Sequence, residues 1–267
     1  MPRATVFMGV PTLYVRMLAE ASLTRGACRH MRIFISGSAP LLLDTFAQWQ
    51  QRTGHTLLER YGMSETVMLT SNPYSPASGR RGGTVGFALP GVGLRVHDEL
   101  EQPLPAGEIG GIQVRGPNVF SGYWRMPEKT AAEFTEDGWF RTGDVGRIDA
   151  DGYVTIVGRS KDLVISGGYN VYPAEIEGYL NEMPGVAESA VIGVPHPDFG
   201  EGVVAVVVPR PGAAPDAQAL IASLKCRIAS FKVPKSLFVV PELPRNAMGK
   251  VQKNLLREQH KTLFTRA

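Results

Sequence analysis

The chain has 267 residues, enough for one large domain or two ordinary ones, and 43% of them are hydrophobic, which is ample for a packed core. Its net charge of +3 is too mild, and its basic residues too dispersed, for a nucleic-acid binder. Apolar runs such as Val203 to Val208 fall far short of the roughly 18 residues that a membrane span needs, so no span is expected. Glycine and proline number 30 and 20, without a period, which predicts many turns and backbone that approaches ligands closely. Cys28 and Cys226 stand far apart with no metal-ligand spacing, and the N-terminal stretch is broken by Pro11 and Arg16 without a small-residue cleavage site. A reducing, cytoplasmic location without a secretory signal is the expectation.

In chain order, Met31 to Gly37 reads as a short buried strand ending in a small-residue turn. Leu41 to Gly54 reads as a helix closed by a glycine. Thr56 to Gly62 is a second strand running into a loop. Strand, helix, strand at this spacing predicts a parallel α/β layer, with ligand sites in the loops after strand C-termini. From about Thr84, "VGLRVHD", "GEIGGIQVRG" and "GYVTIVGR" are short strands punctuated by glycine, proline and aspartate, which predicts a barrel-like subdomain over 84–158. A helix led by Pro173 follows, then the strands "VAESAVIGV" and "GEGVVAVVVP". An amphipathic helix is expected where Leu220, Leu224 and Ile228 recur at four-residue steps. The chain thus divides into an α/β part over 1–160 and a compact α+β domain over 161–267.

Several stretches carry chemistry rather than packing. "SGSAPL" (Ser36 to Leu41) lies between a strand and a helix, where small residues make a tight turn or a ligand-facing loop. In "ERYGMSET" (Glu59 to Thr66), Tyr61 can stack on a planar base and Gly62 lets the backbone approach it. Ser64 and Thr66 can donate to phosphate oxygens, and Glu65 can hold a hard cation; a polar strand-end loop is the plain alternative. "GWFRTGDVG" sets Asp144 in a glycine-flanked turn, where its carboxylate suits a ribose diol. "GRSKDLVISGGYNVYPAEIE" joins Arg159, a charge pair and two adjacent glycines across the predicted boundary. "PRNAMGKVQK" places Lys250 after a glycine, at the start of an expected helix. The five histidines form no cluster.

These stretches occur in the order found in adenylate-forming acyl-CoA synthetases, and the chain resembles that family over nearly its whole length. "GGTVGFALPGV", "GPNVFSGYWRMPEKT" and "ISGGYNVYP" resemble malonyl-CoA synthetases in particular. The resemblance implies part of a large α/β adenylate-forming domain, followed by a mobile α+β domain. It implies ATP, Mg²⁺ and coenzyme A as co-substrates and cofactor, with a carboxylic acid converted first to an acyl-adenylate and then to a thioester. By the same resemblance Ser38, Ala39 and Pro40 border the adenine, with Tyr61 and Gly62 against it. Ser64 contacts the α-phosphate and Glu65 ligates the metal. Asp144 and Arg159 take the ribose hydroxyls, Lys161 is the hinge, and Gly167, Gly168 and Tyr169 line the pantetheine channel. Lys250 offsets charge during adenylation.

Arg60 points to a dicarboxylic acid, since a fatty or aromatic acid would leave a guanidinium in the pocket without a partner. With Ser36 it is the expected contact for the distal carboxylate of malonate or methylmalonate. The family's phosphate loop has no counterpart in this sequence, so the partner expected to complete the enzyme is the missing N-terminal portion. Other short or dicarboxylic acids, or a catalytically silent binding module, are the alternatives.

Overall fold

The structure is a computed structural model that describes residues 4–246 and 249–265. Ala247 and Met248, inside the "PRNAMGKVQK" stretch, lie outside the described residues. The chain divides into two compact units, Met1–Ile156 and Val157–Ala267.

The first unit opens with β1 (Val6–Gly9), α1 (Pro11–Ala19), α2 (Arg25–Cys28), β2 (Ile33–Ser36), α3 (Leu43–Thr53) and β3 (Leu58–Tyr61). The three strands are parallel, with Val6 opposite Ile33 and Ile35 opposite Leu58. Pro11 starts α1 at a position where a missing N–H costs nothing. Gly54 closes α3 at φ 79, a left-handed cap open to a glycine. Tyr14, Phe34, Trp49 and Leu57 form the core behind these strands, and the Tyr14 hydroxyl donates to the Ile35 carbonyl at 2.5 Å. Arg52 fastens the α1–α2 connection through its Nε to the Leu23 carbonyl at 2.8 Å. Proline at position 11 reads in sequence as a break; here it begins a helix.

The sheet continues through β4 (Thr70–Ser71) and β5 (Phe87–Ala88), both antiparallel to their neighbours. Next come β6 (Gly93–His97), β7 (Gly110–Arg115), α4 (Pro127–Glu133), β8 (Phe140–Ile148) and β9 (Val154–Arg159). The four strands form a second sheet in the order β6-β7-β8-β9, and no strand closes it from β9 to β6 among the described residues. Where a barrel-like subdomain was expected, the described strands form an open four-stranded sheet. Leu69, Ile112, Val114 and Phe140 make its core, and Tyr61, Met63 and Phe120 pack against that core. The loop after β3 is therefore anchored on this second sheet as well as on the first.

The second unit contains β10 (Val164–Ser166), β11 (Tyr169–Val171), α5 (Pro173–Asn181), β12 (Val186–His196), β13 (Gly200–Pro209), α6 (Ala217–Lys225), β14 (Ser236–Val239) and α7 (Lys253–His260). Its sheet runs β11-β10-β13-β12, with β14 also paired to β13. The unbroken "VVAVVV" run has a simple cause, because β13 is covered on both faces. Val203, Ala205 and Val207 join the core with α5 and α6, while Val204 and Val206 join the core that includes Leu256 of α7. The helix α6 ends at Lys225, so Ile228 reaches the same core from beyond the helix. No helix among the described residues is long and apolar enough to cross a membrane.

Candidate active site

The loop joining β3 to β4 is shaped by two unusual backbone positions. A Cβ on Gly62 would lie 2.0 Å from the Val67 carbonyl oxygen, so the loop curls back to a distance that only glycine permits. Val67 itself sits at φ 55, a conformation that β-branched residues rarely adopt, and its side chain is 72% exposed. Within this curl Ser64 is exposed, Glu65 is half-buried and Thr66 is fully buried. The loop after β2 leaves Ser38, Ala39 and Pro40 exposed, with Ser38 at φ 68. An added Cβ on Gly37 would come 3.3 Å from the Arg60 carbonyl oxygen, so the loop after β2 runs close to the end of β3. Both loops leave the C-terminal ends of parallel strands, where open α/β sheets hold ligands.

Tyr61 and Asp144 come together in this unit: the Tyr61 hydroxyl donates to the Asp144 carboxylate. Asp144 is 3% exposed, and its backbone N–H donates to Thr142 Oγ1 at 3.1 Å. It lies in the middle of β8 rather than in a turn. The flanking glycines suggested a turn in the sequence, but Gly143 at φ 69 is accommodated inside the strand.

Ser36 and Arg60 both hold a buried polar atom without a hydrogen-bond partner among the described residues, Oγ and Nε respectively. They do not share a face of the sheet. The register sets Ser36 opposite Glu59, and strand alternation sends Arg60 to the other side.

Glu65 receives a hydrogen bond from the Tyr123 hydroxyl at 3.2 Å, and the Phe120 N–H donates to the Glu65 carbonyl at 2.8 Å. Burial, followed by the charge of Glu65, pushes the Tyr123 phenol pKa up. Asn118 Nδ2 donates to the Thr66 carbonyl at 2.8 Å and to the Met68 carbonyl at 3.1 Å. The sequence reading missed Tyr123 and Asn118. Their signal was a single amide and a tyrosine in the otherwise small or apolar stretch "GPNVFSGY". No group of three or more histidine, cysteine or acidic residues could cage a metal among the described residues. One carboxylate beside the exposed Ser64 hydroxyl fits a Mg²⁺ ion that brings phosphate and water ligands with it.

The remaining predicted residues lie in the second unit. Arg159 ends β9, and Lys161 lies in a short 3₁₀ turn, Ser160–Asp162, whose Asp162 pairs with Arg257 at 2.7 Å. Gly167 and Gly168 form the tight turn of the β10–β11 hairpin at φ 61 and 81. Their absent side chains therefore have a backbone cause, independent of any channel. Tyr169 is 57% exposed and stacks on Phe231 with centroids 4.5 Å apart. Lys250 is exposed on a small turn that precedes α7, not at the start of that helix. Its backbone N–H donates to Asn246 Oδ1 at 2.9 Å.

Residues 2–124 match the family described as AMP-binding enzyme, and residues 175–250 match the AMP-binding enzyme C-terminal domain. The chain belongs to this AMP-binding enzyme family. It is 42% identical over 273 residues to a malonate–CoA ligase of Arabidopsis thaliana, covering 95% of this chain and 44% of the relative. It is 40% identical over 260 residues to a feruloyl-CoA synthase of an Amycolatopsis species, covering 96% of this chain and 52% of the relative. Among solved structures, ATP-bound MatB from Rhodopseudomonas palustris superposes with a TM-score of 0.94 at 60% identity, over 98% of this chain and 52% of that one. The chain thus spans about half the length of the relatives it matches.

Proposed function

We propose that the chain is the C-terminal part of an AMP-forming acid–thiol ligase, and that its acid is malonate or a close dicarboxylic relative. The carboxylate oxygen attacks the α-phosphorus of ATP and pyrophosphate leaves. The thiol of coenzyme A then attacks the acyl carbon and AMP leaves. Tyr61, Gly62 and the Ser38-Ala39-Pro40 loop hold the adenine, and Asp144 and Arg159 hold the ribose. Ser64 donates to the α-phosphate. Glu65 is the carboxylate for a nucleotide-borne Mg²⁺, which when bound neutralises charge on the phosphates. Lys161 serves as hinge between 1–160 and 161–267, Gly167, Gly168 and Tyr169 border the path of the pantetheine arm, and Lys250 offsets charge during adenylation. The N-terminal portion that carries the phosphate loop completes the site.

The observation that carries the choice of acid is Arg60, whose Nε is buried without a partner among the described residues. A second carboxylate supplies that partner, whereas an apolar acid leaves the donor orphaned. The 42% identity to a malonate–CoA ligase supports the same choice. The 40% identity to a feruloyl-CoA synthase keeps an aromatic acid in the test.

The test joins this chain to an N-terminal portion carrying the phosphate loop and measures pyrophosphate exchange with malonate, methylmalonate, butyrate and ferulate. Malonate or methylmalonate should give the highest kcat/KM. Arg60→Met should then lose malonate far more than butyrate, because one buried charge loses its partner at a cost of roughly 3–5 kcal/mol. Equal losses for the two acids would make Arg60 structural and remove the dicarboxylate assignment. Malonyl-CoA formation at an ordinary enzymatic rate by the 267-residue chain alone would show that no further portion is needed.

A further inference from the structure

The strained loop that carries Glu65 is held from one neighbouring segment. Val67 at φ 55 is 72% exposed, so packing of its own side chain does not impose that backbone. The constraint comes instead from residues 118–123. Asn118 grips the carbonyls on both sides of Val67, those of Thr66 and Met68, through one amide nitrogen. The Phe120 N–H takes the Glu65 carbonyl, and the Tyr123 hydroxyl takes the Glu65 carboxylate. Tyr123 is itself fixed, with its N–H bonded to Thr130 Oγ1 at 2.9 Å and the Lys129 ammonium 4.1 Å from its ring centroid.

Two buried atoms show that this arrangement is not simply the one of greatest polar satisfaction. Asn118 Oδ1 and Thr66 Oγ1 are both buried without a hydrogen-bond partner among the described residues. Leaving such atoms unpaired is unfavourable, because each loses its bonds to water without replacement. A strained backbone and unpaired polar atoms persist where the surroundings over-determine the geometry, and such places cluster at functional sites. We propose that residues 118–123 act as a clamp that fixes the Glu65 loop before nucleotide binds, with Asn118 and Tyr123 as positioning residues for adenylation. This assignment rests on the adenylate-forming reading above. Asn118 sets the path of the backbone, and Tyr123 sets the direction of the carboxylate. A pre-aimed carboxylate spares the metal–nucleotide complex the ordering of the loop on binding.

Two measurements test the clamp. Hydrogen exchange is read on the 267-residue chain and on Asn118→Ala. The Thr66 and Leu69 amides, which bond to the Met63 and Tyr61 carbonyls at 3.1 and 2.9 Å, should exchange at least about tenfold faster in the variant. Amides of β2 should keep their rates. Asn118→Asp, which keeps an acceptor but loses the donor, should behave like alanine. Unchanged loop rates, or an equal rise throughout the unit, would overturn the clamp.

The second measurement titrates Mn²⁺ in the presence of ATP, by electron paramagnetic resonance, on the chain joined to its N-terminal portion. Tyr123→Phe should weaken Mn²⁺–ATP binding about tenfold, and unchanged affinity would remove Tyr123 from the assignment. If the unaltered joined chain forms no acyl-adenylate, the functional reading falls, while the exchange data still decide whether the clamp exists.

Discussion

Glu59 and Arg60 are neighbours in sequence that strand alternation sends to opposite faces of one sheet, and burial acts on them differently. Glu59 is 6% exposed and receives one N–H, from Gly83, at 3.3 Å. Desolvation therefore outweighs the hydrogen bond and raises its pKa to about 8. A raised carboxyl pKa makes its contribution to stability complete below the unfolded value near 4.5, and that contribution is lost as pH rises through about 8. The wild-type chain should lose denaturant resistance between pH 5 and 8 relative to Glu59→Gln. His260, whose pKa burial lowers, acts in the opposite direction below its ordinary value of 6.5, so the informative quantity is the difference between the two chains. Parallel pH profiles for the two would show that Glu59 is ionised in the fold. Gly62 gives a second prediction at this scale. Gly62→Ala cannot keep the Val67 carbonyl 2.0 Å from its new Cβ, so the loop must open. In the joined chain, adenylation should fall at least about tenfold, and a rate within twofold of the parent would show that the curl is not needed.

At the scale of elements, what was legible followed from period and punctuation. Gly54 and Pro173 marked a helix end and a helix start because their backbone requirements are local. Asp144 was misread for the same reason in reverse. Glycines on either side imitate a turn, whereas the strand β8 is imposed by pairing with β7, a partner distant in sequence. The β10–β11 hairpin was hidden because its strands have only three residues each, too few to show alternation. Ile228 kept the four-residue step of α6 although the helix stops three residues earlier, since packing and not helicity selected it. The start of α6 is local and testable. Asp216 accepts the Ala219 N–H at 2.9 Å, so Asp216→Ala should cost about 1 kcal/mol by urea denaturation. A loss below a few tenths would mean that the cap is replaced by water.

At the scale of the whole molecule, the order of the polar stretches was legible, whereas the hydrogen bonds that hold the Glu65 loop were not, because they join segments fifty or more residues apart. Arg159, Lys161, Gly167, Gly168, Tyr169 and Lys250 belong to the second unit, and Tyr61, Glu65 and Asp144 to the first. The proposed reaction requires the second unit to present Lys250 in one step and the hairpin turn in the other. In the joined chain, Lys250→Ala should lower pyrophosphate exchange by about 10²–10³, the usual loss for a preorganised charge contact. It should still convert chemically supplied malonyl-adenylate to the thioester. Substitution at Gly168 should do the reverse, but the residue stands at φ 81 with nothing within 4 Å of a Cβ, so strain must be separated from obstruction. Leucine there adds about 1–2 kcal/mol of left-handed strain, while asparagine tolerates that conformation. Both variants should spare exchange and block thioester formation if the turn borders the pantetheine path. A fully active Gly168→Asn would leave the glycine serving only its hairpin. Loss of the same half-reaction by the Lys250 and Gly168 variants would show that the two stretches do not alternate, and the hinge at Lys161 would lose its purpose.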